Sequence, residues 1–336
     1  MRLRLYFRKP YPTAFSIERL FDQLTTVFRE RGVTVERLEL PYYNNTPGNL
    51  RRNNQWVRSQ VQAAANEPLI NHITGDVNSV IFSLRSPTVI TIHDCNPLLR
   101  YPKYHPRYWF YRWLIFEWPA RRAAAVTVIS EKTRRELLDL TNCPENNLHV
   151  IPNFVDPAFT YQAKSFNPHY PTILQIGVKE NKNLGRLARA LRDIPCRLEI
   201  VGQPSPTDMQ LLRDHGIDFH YATGLTDQEV RQRYADCDLL AFVSTYEGFG
   251  LPILEAQVTG RPVLTSDLSP HREVAGREGA VLVDPYDAGA IRAGLQHLLT
   301  DTAYRQDLIF NGRANAARYA IGTIAQQYLD LYASLS

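Results

Sequence analysis

The sequence predicts an α/β protein built from two doubly wound parallel sheets, and three observations predict it. Short apolar runs alternate with helix-like segments along most of the chain. The alternation breaks once, at a proline-rich stretch near the middle, and then restarts. The 336 residues are too many for one small domain and suffice for two cores. Strands that alternate with helices pair in parallel, with the helices covering both faces of the sheet.

In the first half the apolar runs predict strands at 3–7, 33–40, 69–73, 88–93, 126–129 and 149–151. Ser16 starts a helix over 16–31, with apolar residues at 17, 20, 21, 24, 27 and 28. A second helical pattern covers 131–141. Prolines 152, 157, 168 and 171 then mark a linker. After it, strands are expected at 173–176, 197–201, 217–221, 239–243, 263–266 and 280–283. Helices are expected at 184–191, 207–214, 227–235, 252–259 and 287–299. The domains are read as 1–160 and 161–315, with a C-terminal helix in 316–336 that packs back on the first domain.

Composition points to a folded, water-exposed protein: 44% apolar and 21% charged residues. The basic start lacks the long apolar run of a signal peptide, and no run of 18 apolar residues offers a membrane span. Cys95, Cys143, Cys196 and Cys237 are scattered, as expected of reduced thiols in a cytoplasmic protein. Charge is uneven. Residues 1–160 hold 21 Lys and Arg against 14 Asp and Glu, while the remainder hold 17 against 20. A basic first half suits an anionic partner such as a membrane surface or a phosphorylated acceptor. No nucleic-acid motif accompanies it, so nucleic acid is not expected as a partner.

The most informative stretch is YEGFGLPILE, residues 246–255. A strand ends at Ser244 and delivers Glu247–Gly250 to the carboxyl edge of the second sheet, where such folds bind ligands. Gly248 and Gly250 let backbone approach a ligand closely. Pro252 suits the first helical position. The N–H groups of a helix start suit a phosphate or sugar hydroxyls. Glu255, expected in the first helical turn, is either a dipole-complementing acid or an acceptor for a vicinal diol such as a ribose. A glycosidase pair of Glu247 and Glu255 is a weaker alternative.

This motif, Glu-x7-Glu, followed by Gly260-Arg-Pro-Val263 and Pro270-HREVAG-Gly276, resembles the donor-binding segment of the retaining glycosyltransferases of family 4. TVISEKTRREL (127–137), VIPNFVD (150–156), LQIGVKENKNL (174–184), LEIVG (198–202), TGLTDQEV (223–230), YADCDLL (234–240) and VLVDPYD (281–287) resemble it in the same order. The resemblance covers the second half almost throughout and the first in patches. It implies the GT-B fold, in which two Rossmann-like domains face one another across a cleft. It also implies transfer of a hexosyl group from a nucleotide diphosphate sugar to a glycan or lipid-linked acceptor, with retained configuration, as in bacterial surface polysaccharide synthesis. Front-face attack, with the leaving phosphate taking the acceptor's proton, is the usual proposal for such enzymes.

The resemblance implies site roles residue by residue. Glu255 holds the ribose, and Glu247 lies by the transferred sugar. The backbone of Gly248, Phe249, Gly250 and Leu251 lies against sugar and pyrophosphate. Lys182 meets the diphosphate; by itself it would sooner read as a solvated loop residue beside Asn183, and the resemblance reverses that reading. Many relatives carry arginine where this chain has Val178, which leaves Lys179 as the candidate second cation. His93, closing a strand, resembles the family's histidine near donor sugar and acceptor, with Asp94 as the group that fixes its tautomer. A lone histidine there is also commonly structural. Relatives often have paired glycines after the first strand. This chain reads RKPYPTAFS there, and Phe15 and Ser16 are the candidate replacements on the acceptor or phosphate side. Leu225 matches a segment near the nucleotide base.

Asp236-Cys-Asp238 has the Asp-x-Asp form of a metal signature, but it precedes a strand and reads as a turn. No cofactor or metal is expected. Residues 100–122 hold nine aromatics, six Lys or Arg and one acid, including Trp109, Trp113 and Trp118. They read either as a helix packed into the first domain or as a segment that meets lipid or acceptor, which would place the protein peripherally at the inner membrane face. Competing functions are another GT-B enzyme such as a sugar-nucleotide epimerase, or a non-catalytic nucleotide-sugar-binding subunit.

Overall fold

The computed structural model describes residues 1–9, 16–43, 46–62 and 69–335. The chain divides into two compact units, residues 1–153 with 321–336, and residues 154–320. Each is built on one six-stranded sheet, and every strand pair is parallel.

The first sheet contains β1 (Arg2–Phe7), β2 (Thr34–Glu39), β3 (Leu69–Ile73), β4 (Thr88–Ile92), β5 (Ala125–Val128) and β6 (Leu148–Val150), in the order 2-1-3-4-5-6. Central strands such as TVITI are buried at every residue, as a strand covered by helices on both faces must be. The helix Ile321–Ser334 closes this unit. Its Tyr332 hydroxyl lies 2.5 Å from His72 Nδ1 on β3, and His72 Nε2 lies 2.7 Å from Thr91 Oγ1 on β4. Thr91 and Thr127 hydroxyls meet at 2.6 Å, so the buried polar groups satisfy one another.

The second sheet contains β7 (Thr172–Ile176), β8 (Arg197–Val201), β9 (Asp218–Ala222), β10 (Leu239–Phe242), β11 (Val263–Ser266) and β12 (Val281–Val283). Its order, 12-11-10-7-8-9, reverses direction between β7 and β10. That is the topological switch point, where the loops beyond the two strands diverge and leave a crevice.

Strand boundaries move by a residue or so from the expected ones. The helix after β10 spans Leu251–Thr259, one residue earlier than predicted, so Pro252 is its second residue and Glu255 its fifth. Glu255 therefore belongs to the second turn, not the first. The reason is Gly250: with φ of 118° it turns the chain into the helix one position sooner than Pro252 indicates.

Asp236 and Asp238 do hold structure. Asp238 is buried and accepts from the backbone N–H of Asn167 (3.1 Å) and Thr172 (2.8 Å), with Lys164 at 3.0 Å. It fastens the segment before β7 to the start of β10. Asp236 accepts from Gln232 within its own helix.

Candidate functional site

The loops that follow β7 and β10 are bonded to one another. The Asn181 side chain donates to the Tyr246 carbonyl at 2.8 Å, and the Thr245 N–H donates to the Asn181 carbonyl at 2.8 Å. Asn183 adopts a left-handed conformation (φ 63°), is buried, and donates to the carbonyls of Val243 and Pro285. Gln175 donates to the carbonyls of Gly177 and Lys182, closing the first loop on itself.

This frame aims Lys182 at Glu247. Lys182 Nζ lies 2.5 Å from Glu247 Oε1 and 4.7 Å from the centre of the Phe242 ring. The lysine stem runs across Gly177, where an added Cβ would meet Lys182 Cε at 3.0 Å and Cγ at 3.1 Å. Gly177 is thus required twice, for the stem and for its φ of 84°. Lysine and glutamate side chains are each mostly covered, at 18% and 16% exposure, which strengthens their attraction relative to a surface pair.

The helix Leu251–Thr259 begins beside Glu247, and no side chain caps its start. Proline at its second position has no N–H, and the Ile253 N–H donates to the Gly250 carbonyl at 3.0 Å, so the Leu251 N–H is the candidate ligand donor of the first turn. Phe249 turns inward: it is 5% exposed and packs edge-on against Tyr319.

Glu255 meets a residue not singled out in the sequence. The hydroxyl of Tyr234, on the helix Asp227–Asp236, donates to Glu255 Oε2 at 2.5 Å. Burial, with Glu255 adjacent, pushes the Tyr234 phenol well above its ordinary pKa, so it stays a donor. Arg261, of the Gly-Arg-Pro-Val segment, donates to the carbonyls of Tyr234, Ala235 and Gln162 and caps that helix from outside. Tyrosine before Ala-Asp-Cys-Asp was the only available signal, and it does not reveal a partner 21 positions away.

Lys179 is exposed at the turn before Lys182; its carbonyl accepts from the Lys182 N–H at 2.7 Å, and no described side-chain contact joins it to Lys182 or Glu247. Val178 lies beside Gly202, where an added Cβ would meet it at 3.2 Å. Leu225 is half-buried before the Thr226 cap of the helix that carries Tyr234, and no described contact joins it to Glu255. Phe15 lies outside the described residues, and of Ser16 only its place at the start of a helix is described.

In the first unit, His93 follows β4. Its Nε2 lies 2.7 Å from the Thr74 carbonyl, which can only accept, so Nε2 carries the proton and Nδ1 is the basic nitrogen of the neutral ring. Thr74, not Asp94, therefore sets the tautomer; Asp94 instead accepts from the Asn96 N–H at 2.9 Å. Burial lowers the His93 pKa, partly offset by the Thr74 bond and by Asp76 and Asp94. Gly75 makes room for the ring, since a Cβ there would meet His93 Cδ2 at 2.8 Å. His93 borders a cavity of about 670 Å³ whose walls include Arg8, Tyr43, Asp76, Tyr101 and Tyr111. Arg8 is already engaged by Glu18 and Asp76.

Within 100–122 the helical part begins at Pro106: Pro106–Phe110 and Trp118–Arg122 are α-helical, and Tyr111–Glu117 between them is π-helical. Tyr108, Ile115 and Phe116 enter the core, while Trp113 and Trp118 stack on each other and remain 43% and 49% exposed.

Two family descriptions match the chain in tandem. "Glycosyltransferase Family 4" matches residues 22–159, and "Glycosyl transferases group 1" matches residues 159–315. The chain belongs to the family-4 glycosyltransferases. It is 27% identical to the serotype-specific mannosyltransferase WbdA of Escherichia coli, over 83% of this chain and 39% of that protein. It is 29% identical to the MMP alpha-(1->4)-mannosyltransferase of Mycolicibacterium hassiacum, over 73% of this chain and 65% of that one. The chain thus spans about two-fifths of the length of the WbdA relatives it matches. Among solved structures, sucrose-phosphate synthase from Thermosynechococcus elongatus shares the fold, with a TM-score of 0.81, 19% identity, and coverage of 99% of this chain and 98% of that one. Anabaena HepE in complex with UDP and glucose also shares it, with a TM-score of 0.76, 17% identity and full coverage of both chains. These matches carry the GT-B fold.

Proposed function

We propose that the chain transfers a hexosyl group from a nucleoside diphosphate sugar to an acceptor hydroxyl, with retained configuration, in glycan or polysaccharide assembly. The Lys182–Glu247 pair, beside an uncapped helix start at the switch point of the second sheet, carries this reading. When the bond from the anomeric carbon to the phosphate oxygen breaks, negative charge grows on the diphosphate. Lys182 and the amides from Gly248 to Leu251 stabilise that charge more in the transition state than in the ground state. The acceptor oxygen forms the new bond to the anomeric carbon, and its proton passes to the departing phosphate oxygen. Glu247 orients Lys182 and receives sugar hydroxyls, and Glu255 receives the ribose diol. Lys179 and Leu225 remain candidates for the outer phosphate and the base.

The reading needs no metal. Charge neutralisation falls to Lys182 and the helix start, and no cluster of three potential metal ligands occurs among the described residues. The His93 cavity is the proposed acceptor site in the first unit, with tyrosines to stack on sugar rings and His93 Nδ1 to accept a hydroxyl. The mannosyltransferase names of the relatives and the UDP and glucose in HepE support sugar transfer over epimerisation or simple binding.

The test is release of nucleoside diphosphate from a panel of UDP-, GDP- and ADP-sugars. Lys182→Ala is expected to lower the rate about 100-fold or more, as loss of a charge-stabilising donor does, and Glu255→Gln to lose most of it. Near-normal rates in both overturn the assignment. A lipid-linked acceptor would bring the chain to the inner membrane face through 100–122, where Trp113 and Trp118 are exposed beside arginines. Flotation with liposomes containing anionic lipid is expected, and flotation unchanged in Trp113→Ala/Trp118→Ala ends that part of the proposal.

A further inference from the structure

Glu255 could serve a ribose only if its carboxylate were held in one orientation. On a helix surface a glutamate has three rotatable bonds and swings among several rotamers. Here it does not act alone. Tyr234 is fully buried, and its hydroxyl reaches Glu255 Oε2 at 2.5 Å. The tyrosine is itself fixed. Its ring packs edge-on against Phe159 at 5.3 Å, and Arg261 Nε bonds its carbonyl at 3.0 Å.

We propose that Tyr234 is a positioning residue for the nucleoside: its hydroxyl orients the Glu255 carboxylate to receive the 2′ and 3′ hydroxyls of the ribose. The inference rests on the reading of Glu255 as the ribose acceptor. An ionised carboxylate offers about four lone-pair sites. The phenol donor fixes one carboxylate oxygen, Oε2, and so sets the direction in which the group faces a diol. Because the phenol resists ionisation in its buried setting, it does not become a repelling anion. The order of support runs from Arg261, through the C-terminal turn of the helix Asp227–Asp236, to Tyr234 and then to Glu255. It accounts for an arginine in the Gly-Arg-Pro-Val segment that touches no expected ligand position.

The test compares binding of UDP with 2′-deoxy-UDP, and of GDP with 2′-deoxy-GDP, by calorimetry on the full chain. The wild type is expected to bind the better ribonucleotide about 10-fold or more tightly than its deoxy counterpart, since the 2′ hydroxyl donates to a charged acceptor. In Tyr234→Phe the ribonucleotide should weaken and the deoxy form hardly change, so that the ratio falls to within about 3-fold. A general loss of packing would weaken both nucleotides alike. Phe159→Leu, which loosens the same packing but keeps the hydroxyl, should retain the ratio. If Tyr234→Phe does not fold, Tyr234→Met also removes the hydroxyl while filling the space. A wild type that discriminates, with a Tyr234→Phe variant that discriminates equally, overturns the positioning role and leaves Glu255 its assignment. A wild type that binds the two forms of its preferred nucleotide equally, with ADP and 2′-deoxy-ADP as the pair if neither UDP nor GDP binds, overturns the Glu255 reading and the inference with it.

Discussion

Lys182 is held along its whole side chain, by Gly177 under the stem, by the Phe242 ring and by Glu247 at the tip. Gly177→Ala tests this without removing any charge. The new methyl would press on the stem at about 3 Å and would sit at a φ of 84°. The strain costs on the order of 1 kcal/mol of stability, a loss of a few degrees in Tm. Activity should fall at least about 10-fold, because a displaced ammonium no longer meets the developing charge. Full activity at unchanged Tm would show that the stem has another path. At this scale the sequence was only partly legible. Lys182, Glu247 and Glu255 could be picked out because they stand in motifs, LQIGVKENKNL and EGFGLPILE, that resemble the family's donor-binding segment. Tyr234, Asn181 and Asn183 could not, since a tyrosine in a helix or an asparagine in a loop reveals nothing about what lies across from it.

At the scale of elements, both sheets were readable because their central strands are buried on two faces and so appear as unbroken apolar runs such as LLAF. Helices with weak apolar periodicity were harder. Pro47–Gln62, rich in asparagine, glutamine and arginine, was not anticipated. Nor was Thr302–Ala317, whose Gly312 and Asn315 serve a close approach to Gln257 on the helix Leu251–Thr259. Small and amide residues there satisfy a specific neighbour, and a periodicity count gives them no weight. The early start of Leu251–Thr259 has a similar origin: the local proline signal was overridden by a left-handed glycine two positions before it, which starts the helix one residue sooner. In the segment 100–122, helix was foreseeable from the 109/113 spacing, but the π-helical stretch Tyr111–Glu117 was not. One carbonyl in that stretch, that of Ile115, is taken by the buried Asn78 side chain, 37 residues away.

At the scale of the whole chain, the first unit is completed by residues from the far end of the sequence. His72, Thr91 and Tyr332 meet in its interior, and burial pushes the His72 pKa down to about 3. The sign follows from proton binding. Unfolded, His72 titrates near its ordinary 6.5 and takes up a proton below that pH, while the folded form refuses it. Stability is therefore complete above pH 6.5 and falls as the pH drops toward 3, by roughly 1.4 kcal/mol per unit at most. Thermal unfolding between pH 7 and pH 4 should show a steep loss for the wild type and a shallower one for His72→Gln, whose Tm at pH 7 is already lower. Equal slopes would show that other groups carry the acid sensitivity.

By itself the sequence determined the run of strands and helices, the break between two cores and the chemistry of each loop, because apolar period, proline and glycine act on their own neighbourhood of the chain. Only the tertiary structure decided which loops meet. Parallel pairing of β7 with β10 brings Lys182 to Glu247 across 65 positions, and helix packing brings Tyr234 to Glu255 across 21. Such contacts depend on strand order and register, which arise from burying all the apolar faces at once and are written in no single segment.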